Sequence, residues 1–167
     1  MYARPTLQPS RMTLADLDDV LSIESTSFAQ AWSRGMFLEE MANETARVIV
    51  FKSDGKVVGY FCYWKVVDEG HLLNIAVHPN LRGRGIGREM MAHLEDLCRQ
   101  EGLNTIILDV ARRNAAARSL YKTCGFETTG FRKNYYAAIK DDALVMEKKL
   151  TWAEDPATSP GRSSERL

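Results

Sequence analysis

What the chain lacks narrows the field first. It has no excess of charge: 22 lysines and arginines balance 22 aspartates and glutamates. A dedicated nucleic-acid binder needs a basic surplus to neutralise phosphates, so direct nucleic-acid binding is not expected. It is poor in cysteine. Cys62, Cys98 and Cys124 stand apart in apolar surroundings, and an odd number without paired spacing points to reduced thiols and a cytoplasmic setting. It has no apolar run near the roughly 20 residues of a membrane span. Its opening stretch, MYARPTLQPS, lacks the apolar segment of a signal peptide. Neither membrane nor export is therefore expected. His71, His78 and His93 show no metal-ligand spacing such as His-Glu-x-x-His, and no metal is expected. His78 reads as a strand-end residue and His93 as a helix-surface one.

What is there divides into short, well-punctuated elements. At 167 residues the chain is one domain by its length, with enough sequence for a sizeable core. Thr13 reads as a helix cap with Asp16 as its partner, and Leu14, Leu17, Leu21 and Phe28 recur at helical spacing. Glu24 falls on the same stripe. Its simple reading is a carboxylate at the stripe's edge reaching water; the other is a carboxylate aimed into a cleft. Ser33 caps a second short helix. Then ARVIVFK, KVVGYFCYWKVV and HLLNIAVHP, separated by SDG and DEG, read as an antiparallel meander. A helix follows with Ile86, Met90, Leu94, Leu97 and Cys98 as its apolar stripe and Gly102 as its stop. NTIILDV is a nearly continuous apolar strand, so residues 106–110 should run parallel to residues 72–77 through a helical crossover. Asn114 caps a last helix that stops at Gly125, and TTGFRKNYY and DALVMEKKL close the chain as strands. The expected organisation is one domain over residues 1–151. The polar, proline- and serine-rich stretch 152–167 is an expected disordered tail.

The stretch LRGRGIGRE, between meander and helix, needs its own explanation. Glycines let another molecule approach the backbone, and a helix start offers unpaired N–H groups with positive dipole charge. The loop is suited to a phosphate-bearing ligand. It lacks the Gly-Lys-Ser/Thr ending of a P-loop, and Gly83-x-Gly85-x-Gly87 is one residue short of a dinucleotide fingerprint. The pattern Arg82-x-x-Gly85-x-Gly87 resembles the acetyl-coenzyme A loop of the GNAT superfamily of N-acetyltransferases. The order of strand, loop, helix, strand, Asn-led helix and Gly-Phe is similar to the GNAT core over most of residues 10–150. IESTSFAQAWS, NIAVHPNLRGRGIG, NAAARSLYKTCGF and RKNYY look most like the RimI type, which acetylates the N-terminal α-amine of a ribosomal protein. This chain has Asp109-Val-Ala-Arg-Arg-Asn114 where the subgroup commonly has Glu-Val-Arg-x-Ser-Asn, and Ala31 where it has proline.

The resemblance implies an α+β GNAT fold, with a mostly antiparallel sheet, a splayed parallel strand pair and flanking helices. It implies acetyl-CoA as co-substrate. The backbone of Arg82, Gly83, Arg84, Gly85, Ile86, Gly87 and Arg88 would hold the pyrophosphate. Ile75, Ala76 and Val77 would line the pantetheine arm, with an N–H near Val77 polarising the thioester carbonyl. Asn114 would be a coenzyme contact, a helix cap, or both. Tyr121 would be the acid that protonates the departing thiolate, Asp109 or Glu24 a base acting through water, and Trp32, Tyr135 and Tyr136 the substrate entrance. Asp109 also reads as a strand-end residue paired with an arginine. The acceptor would be a protein N-terminus, or otherwise a small amine or a lysine. A coenzyme A-binding module without catalysis is the non-enzymatic alternative.

Overall fold

The computed structural model describes residues 4–151; the proposed tail, 152–167, lies outside them. The order is β1 (Gln8–Arg11), a 3-10 turn (Leu14–Asp16), α1 (Leu17–Ser27), α2 (Arg34–Ala42), β2 (Ala46–Ser53), β3 (Lys56–Val66) and β4 (Glu69–Val77). A 3-10 turn (Pro79–Leu81), α3 (Ile86–Gln100), β5 (Thr105–Ala111), α4 (Ala115–Thr123), β6 (Glu127–Tyr136), a further 3-10 turn (Ala137–Ile139) and β7 (Asp141–Lys149) follow. The strands form one seven-stranded sheet in the order β1-β2-β3-β4-β5-β7-β6. Among the described residues only β4 and β5 pair in parallel, and α3 is the crossover that joins them.

The caps are those the sequence supplies. Thr13 and Asp16 form a reciprocal capping box. The Ser33 hydroxyl accepts from the Met36 N–H, and the Asn114 side chain accepts from the Ala117 N–H. Each satisfies a donor that a helix start leaves free.

The sheet separates two cores. One packs Ile86, Met90, Leu94 and Cys98 of α3 against Phe61 and Tyr63 of β3. The other packs Leu17, Val20 and Ile23 of α1 and Phe37 of α2 against Tyr60 and Cys62 of the same strand. Period-2 alternation along β3 feeds both. The helical stripe in the first segment is rotated from the expected one. Leu14 is 69% exposed, and the buried face is Leu17, Val20, Ile23 and Glu24. The first turn is 3-10, which shifts Leu14 off the face that α1 presents. β1 is not legible in the sequence: QPSR is polar and exposed throughout, and it pairs with β2 at the sheet edge. His93 is half-buried, edge-on against Phe51, rather than free on the helix surface.

Gly59 marks a close approach. A Cβ there would lie 2.7 Å from the Met90 Sδ and 3.1 Å from the Ala76 carbonyl oxygen. Gly59→Ala therefore forces α3 away from β3. It should cost about 1–3 kcal/mol of unfolding free energy, measured by urea denaturation; an unchanged midpoint would show that Met90 moves aside freely.

Candidate active site

β4 and β5 pair only from Glu69↔Thr105 to Leu72↔Leu108, although β4 runs on to Val77 and β5 to Ala111. The break coincides with a β-bulge. β3 pairs Tyr63↔Leu72 and then Cys62↔Asn74, leaving Leu73 as the extra residue. Beyond the bulge the His78 N–H donates to the Val58 carbonyl on the β3 side. By strand alternation the peptide groups of Ile75 and Val77 then face the gap beside β5. Ala76 differs from its neighbours: it pairs with Tyr60 and its side chain is buried in the α1 core, so its own peptide groups face β3. The gap opens into a cleft of about 500 Å³, walled by Leu73, Asn74, Ile75, Asp109, Tyr121 and Tyr136 among others.

At the start of α3 the glycine loop offers donors. No protein acceptor is found among the described residues for the N–H groups from Gly83 through Arg88. Gly83 and Gly85 have φ of 75° and 80°, the left-handed region that favours glycine. Gly87 has another reason to be small: a Cβ there would come within 3.2 Å of Leu120 on α4. Arg82 turns away from the loop, its guanidinium donating to the Val77 carbonyl and the Ser27 hydroxyl. The donor row and the β4 edge released from β5, where only the Val77 carbonyl is taken up by Arg82, fit a ligand that carries phosphates at one end and an amide-bearing arm at the other.

The candidate catalytic side chains converge on the cleft. Tyr121 projects from α4, largely buried, and no hydrogen bond to its hydroxyl is found among the described residues. Burial, with the Tyr136 phenol and Cys124 nearby, holds its pKa well above the ordinary phenol value. Asp109 leaves β5 at the same wall. Arg132 approaches its Oδ1 at 3.3 Å, yet that oxygen accepts no hydrogen bond and is shut from solvent. Tyr136 faces Asp109, and burial together with that carboxylate pushes its phenol up to about 12. Asn114 caps α4 as expected and also lines the cleft.

Glu24 does not reach water. It is 1% exposed, and its carboxylate is saturated by donors. The Trp32 N–H donates to Oε1 at 2.9 Å, while the Asn74 amide (2.7 Å) and the Tyr60 hydroxyl donate to Oε2. Burial raises its pKa, and the Trp32 and Asn74 bonds pull against that rise. Trp32 lines the cleft and packs on Phe37. Tyr135, by contrast, is 52% exposed, edge-on to Tyr136 and beneath the Arg132 guanidinium, outside the cleft lining. Neighbouring strand residues point oppositely, and only one of the pair can face inward.

Asn74 and Asp141 are buried polar residues of the cleft that do not stand out in the sequence. Asn74 lies within a quoted motif but carried no signal of its own. Asp141 is buried, accepts from the Arg113 and Asp142 N–H groups, and so fixes the segment that leads into Asn114. Among the described residues no cluster of metal-ligating side chains is found, and no helix is long and apolar enough to cross a membrane.

A splayed parallel pair beside a glycine-led helix start is the arrangement of an acyl-CoA-using transferase. The profile of the acetyltransferase (GNAT) family matches residues 17–126, and the chain belongs to that family as an acetyl-CoA-dependent N-acetyltransferase. Among its relatives is the [ribosomal protein bS18]-alanine N-acetyltransferase of Escherichia coli K12, 34% identical over 82% of this chain and 93% of that one. The crystal structure of the ribosomal-protein-S18-alanine N-acetyltransferase from Escherichia coli superposes with a TM-score of 0.81 at 31% identity, over 90% of this chain and 98% of that one. Ard1 from Thermoplasma volcanium gives the same TM-score at 26% identity, over 87% and 99%.

The environment of Glu24 has a measurable consequence. A carboxyl whose pKa is raised by folding stabilises most below its unfolded value, and that contribution is lost as pH rises through the folded one. Glu24→Gln removes this titration and turns an NH2 toward at least one donor. It should cost about 1–3 kcal/mol and flatten the fall in stability above about pH 4.3, the ordinary glutamate value. Urea unfolding across the acid-to-neutral range reads both. An unchanged pH slope would mean that Glu24 keeps an ordinary pKa.

Proposed function

We propose that the chain acetylates the N-terminal α-amine of a protein, and that a ribosomal protein beginning with alanine is the first acceptor to try. The observation that carries this reading is the state of the two cleft carboxylates. Glu24 has its oxygens occupied by donors, and Asp109 lies against Arg132. Neither is a free, strong base in direct contact with an incoming amine. Such a site suits an amine that is already partly neutral. An α-amine has a pKa of about 7.7–8.0, so roughly a quarter is neutral near pH 7.4, against about one lysine in a thousand. The likeness to alanine N-acetyltransferases supports the same acceptor class. Acetyl-CoA use and reduced thiols, with Cys62 and Cys98 free and buried, agree with a cytoplasmic setting.

In this reading the thioester of acetyl-CoA supplies the acetyl group. The N–H groups from Gly83 to Arg88 hold the pyrophosphate, and the edge of β4 at Ile75 and Val77 orients the arm. The Val77 N–H faces the thioester carbonyl, where it would stabilise developing negative charge. Asp109, whose Oδ2 accepts no hydrogen bond from the described residues and is not shut from solvent as Oδ1 is, takes the amine proton through water. Glu24 acts from behind the wall. By gripping the Trp32 N–H and the Asn74 amide it fixes both the acceptor-side loop and the opened strand. Tyr121 keeps its proton at neutral pH because of its raised pKa, and offers it to the sulfur as the carbon–sulfur bond breaks.

Thiol release with a peptide panel, free lysine and polyamines tests the acceptor. Peptides with a free N-terminal alanine should turn over, and N-terminally blocked ones should not. Turnover of lysine or polyamines alone would overturn the acceptor assignment. Tyr121→Phe preserves the ring and its packing against Phe126. Its melting temperature and coenzyme affinity should stay near those of the wild type, while kcat falls by about tenfold to a thousandfold. An undiminished kcat, with chemistry rate-limiting, would leave Tyr121 as a core aromatic only.

A further inference from the structure

The residue nearest the outer side of the glycine loop is 81 positions away in sequence. Arg4 extends from the N-terminal segment and donates from Nη2 to the Gly85 carbonyl at 2.8 Å. The same nitrogen lies 3.1 Å from the Glu89 carboxylate in the first turn of α3. A Cβ built on Gly85 would meet that guanidinium at 3.1 Å. Arg4 therefore borders the N–H row without occupying it. Its side chain is about half exposed, so further guanidinium donors remain free for a ligand.

Charge makes this position matter. Glu89 puts a negative charge beside the N–H groups that would receive an anion. That charge favours the bare helix start and opposes a bound phosphate. Arg82, the arginine of the loop motif, is committed to Val77 and Ser27. Arg84 and Arg88 lie in the loop and the first turn of α3 themselves, and Arg4 adds a third cation at the loop's outer side, fixed there by the Gly85 carbonyl.

We propose that Arg4 is a coenzyme-phosphate ligand, pairing with a phosphate of acetyl-CoA at the outer side of the glycine loop. Either the pyrophosphate or the 3′-phosphate presents the anionic oxygens that a guanidinium pairs with. The inference rests on the reading of this loop as the coenzyme's phosphate site. Arg4 also holds a loop carbonyl, which fixes its guanidinium beside the N–H row.

Calorimetric titration of the full chain with acetyl-CoA and with its 3′-dephospho form is the test. Arg4→Ala should weaken acetyl-CoA binding about three- to tenfold at low ionic strength, and the difference should shrink as salt screens the contact. If the loss persists with the dephospho form, the pyrophosphate is the partner; if it vanishes, the 3′-phosphate is. The Glu89→Gln background separates contact from neutralisation, because Arg4→Ala must still weaken binding there. Equal affinity of wild type and Arg4→Ala would overturn the proposal. So would a loss insensitive to salt, or one abolished by Glu89→Gln. Gly85→Glu, which sets bulk and negative charge against the loop, is the control for the underlying reading. It should reduce affinity at least tenfold in a folded protein, and unchanged binding there would refute the loop assignment itself rather than the role of Arg4.

Discussion

The cleft depends on one irregularity in β4. Up to Leu72 the strand belongs to a continuous sheet, with β3 on one side and β5 on the other. The bulge at Leu73 then resets its alternation. Leu72 packs into the α3 core, yet Ala76, four residues on, packs into the α1 core. Without a bulge, even spacing would keep both on one face. The extra residue bends and twists a strand locally, and here pairing with β5 ceases. An interrupted ladder releases peptide groups of β4 from a strand partner and turns them toward the cleft. The defect in the sheet and the opening of the cleft are therefore the same feature.

The Glu24 cluster holds that defect in place. A saturated carboxylate on α1 grips Asn74 immediately after the bulge, and Trp32 on the loop between α1 and α2. Removing one partner from a buried charged cluster leaves the others unpaired, so such clusters are all-or-none in character. The helix layer behind the sheet is thereby coupled to the strand that would carry the acyl donor. The opposite layer contributes Tyr121 and Asn114 from α4, and Asp141 on β7 fixes the segment before that helix. The two cores meet at the opening, with each supplying one wall.

Much of this was legible in the sequence because it is local. Caps at Thr13, Ser33 and Asn114, the glycine-led start of α3 and the βαβ crossover are each written within a few consecutive residues. Side chains that the chain brings together over long separations were not legible. Glu24 reads as an edge carboxylate because helical periodicity cannot show that Tyr60 and Asn74 wait above it. β1 escaped because QPSR has neither alternation nor apolar content, and it exists only by pairing with β2. The difference between Tyr135 and Tyr136 could be framed as a parity question but not decided, since a register shift lies between Arg132 and Tyr136.

Specific chemistry in such a scaffold comes from what surrounds each group more than from the group itself. Three acidic side chains, Glu24, Asp109 and Asp141, line one cleft. Asp141 is spent on two backbone N–H groups and shapes the segment 112–114. Glu24 is spent on donors from three elements and shapes the opening. Asp109 alone of the three accepts no hydrogen bond from the described residues, although the Arg132 guanidinium lies 3.3 Å from its Oδ1. The arrangement occupies two of the three carboxylates with donors and leaves the third without one. Which carboxylate oxygens remain free in the cleft is thus decided by neighbours brought in from elsewhere in the chain, Trp32, Tyr60 and Asn74 for Glu24 and Arg113 for Asp141, rather than by residue type.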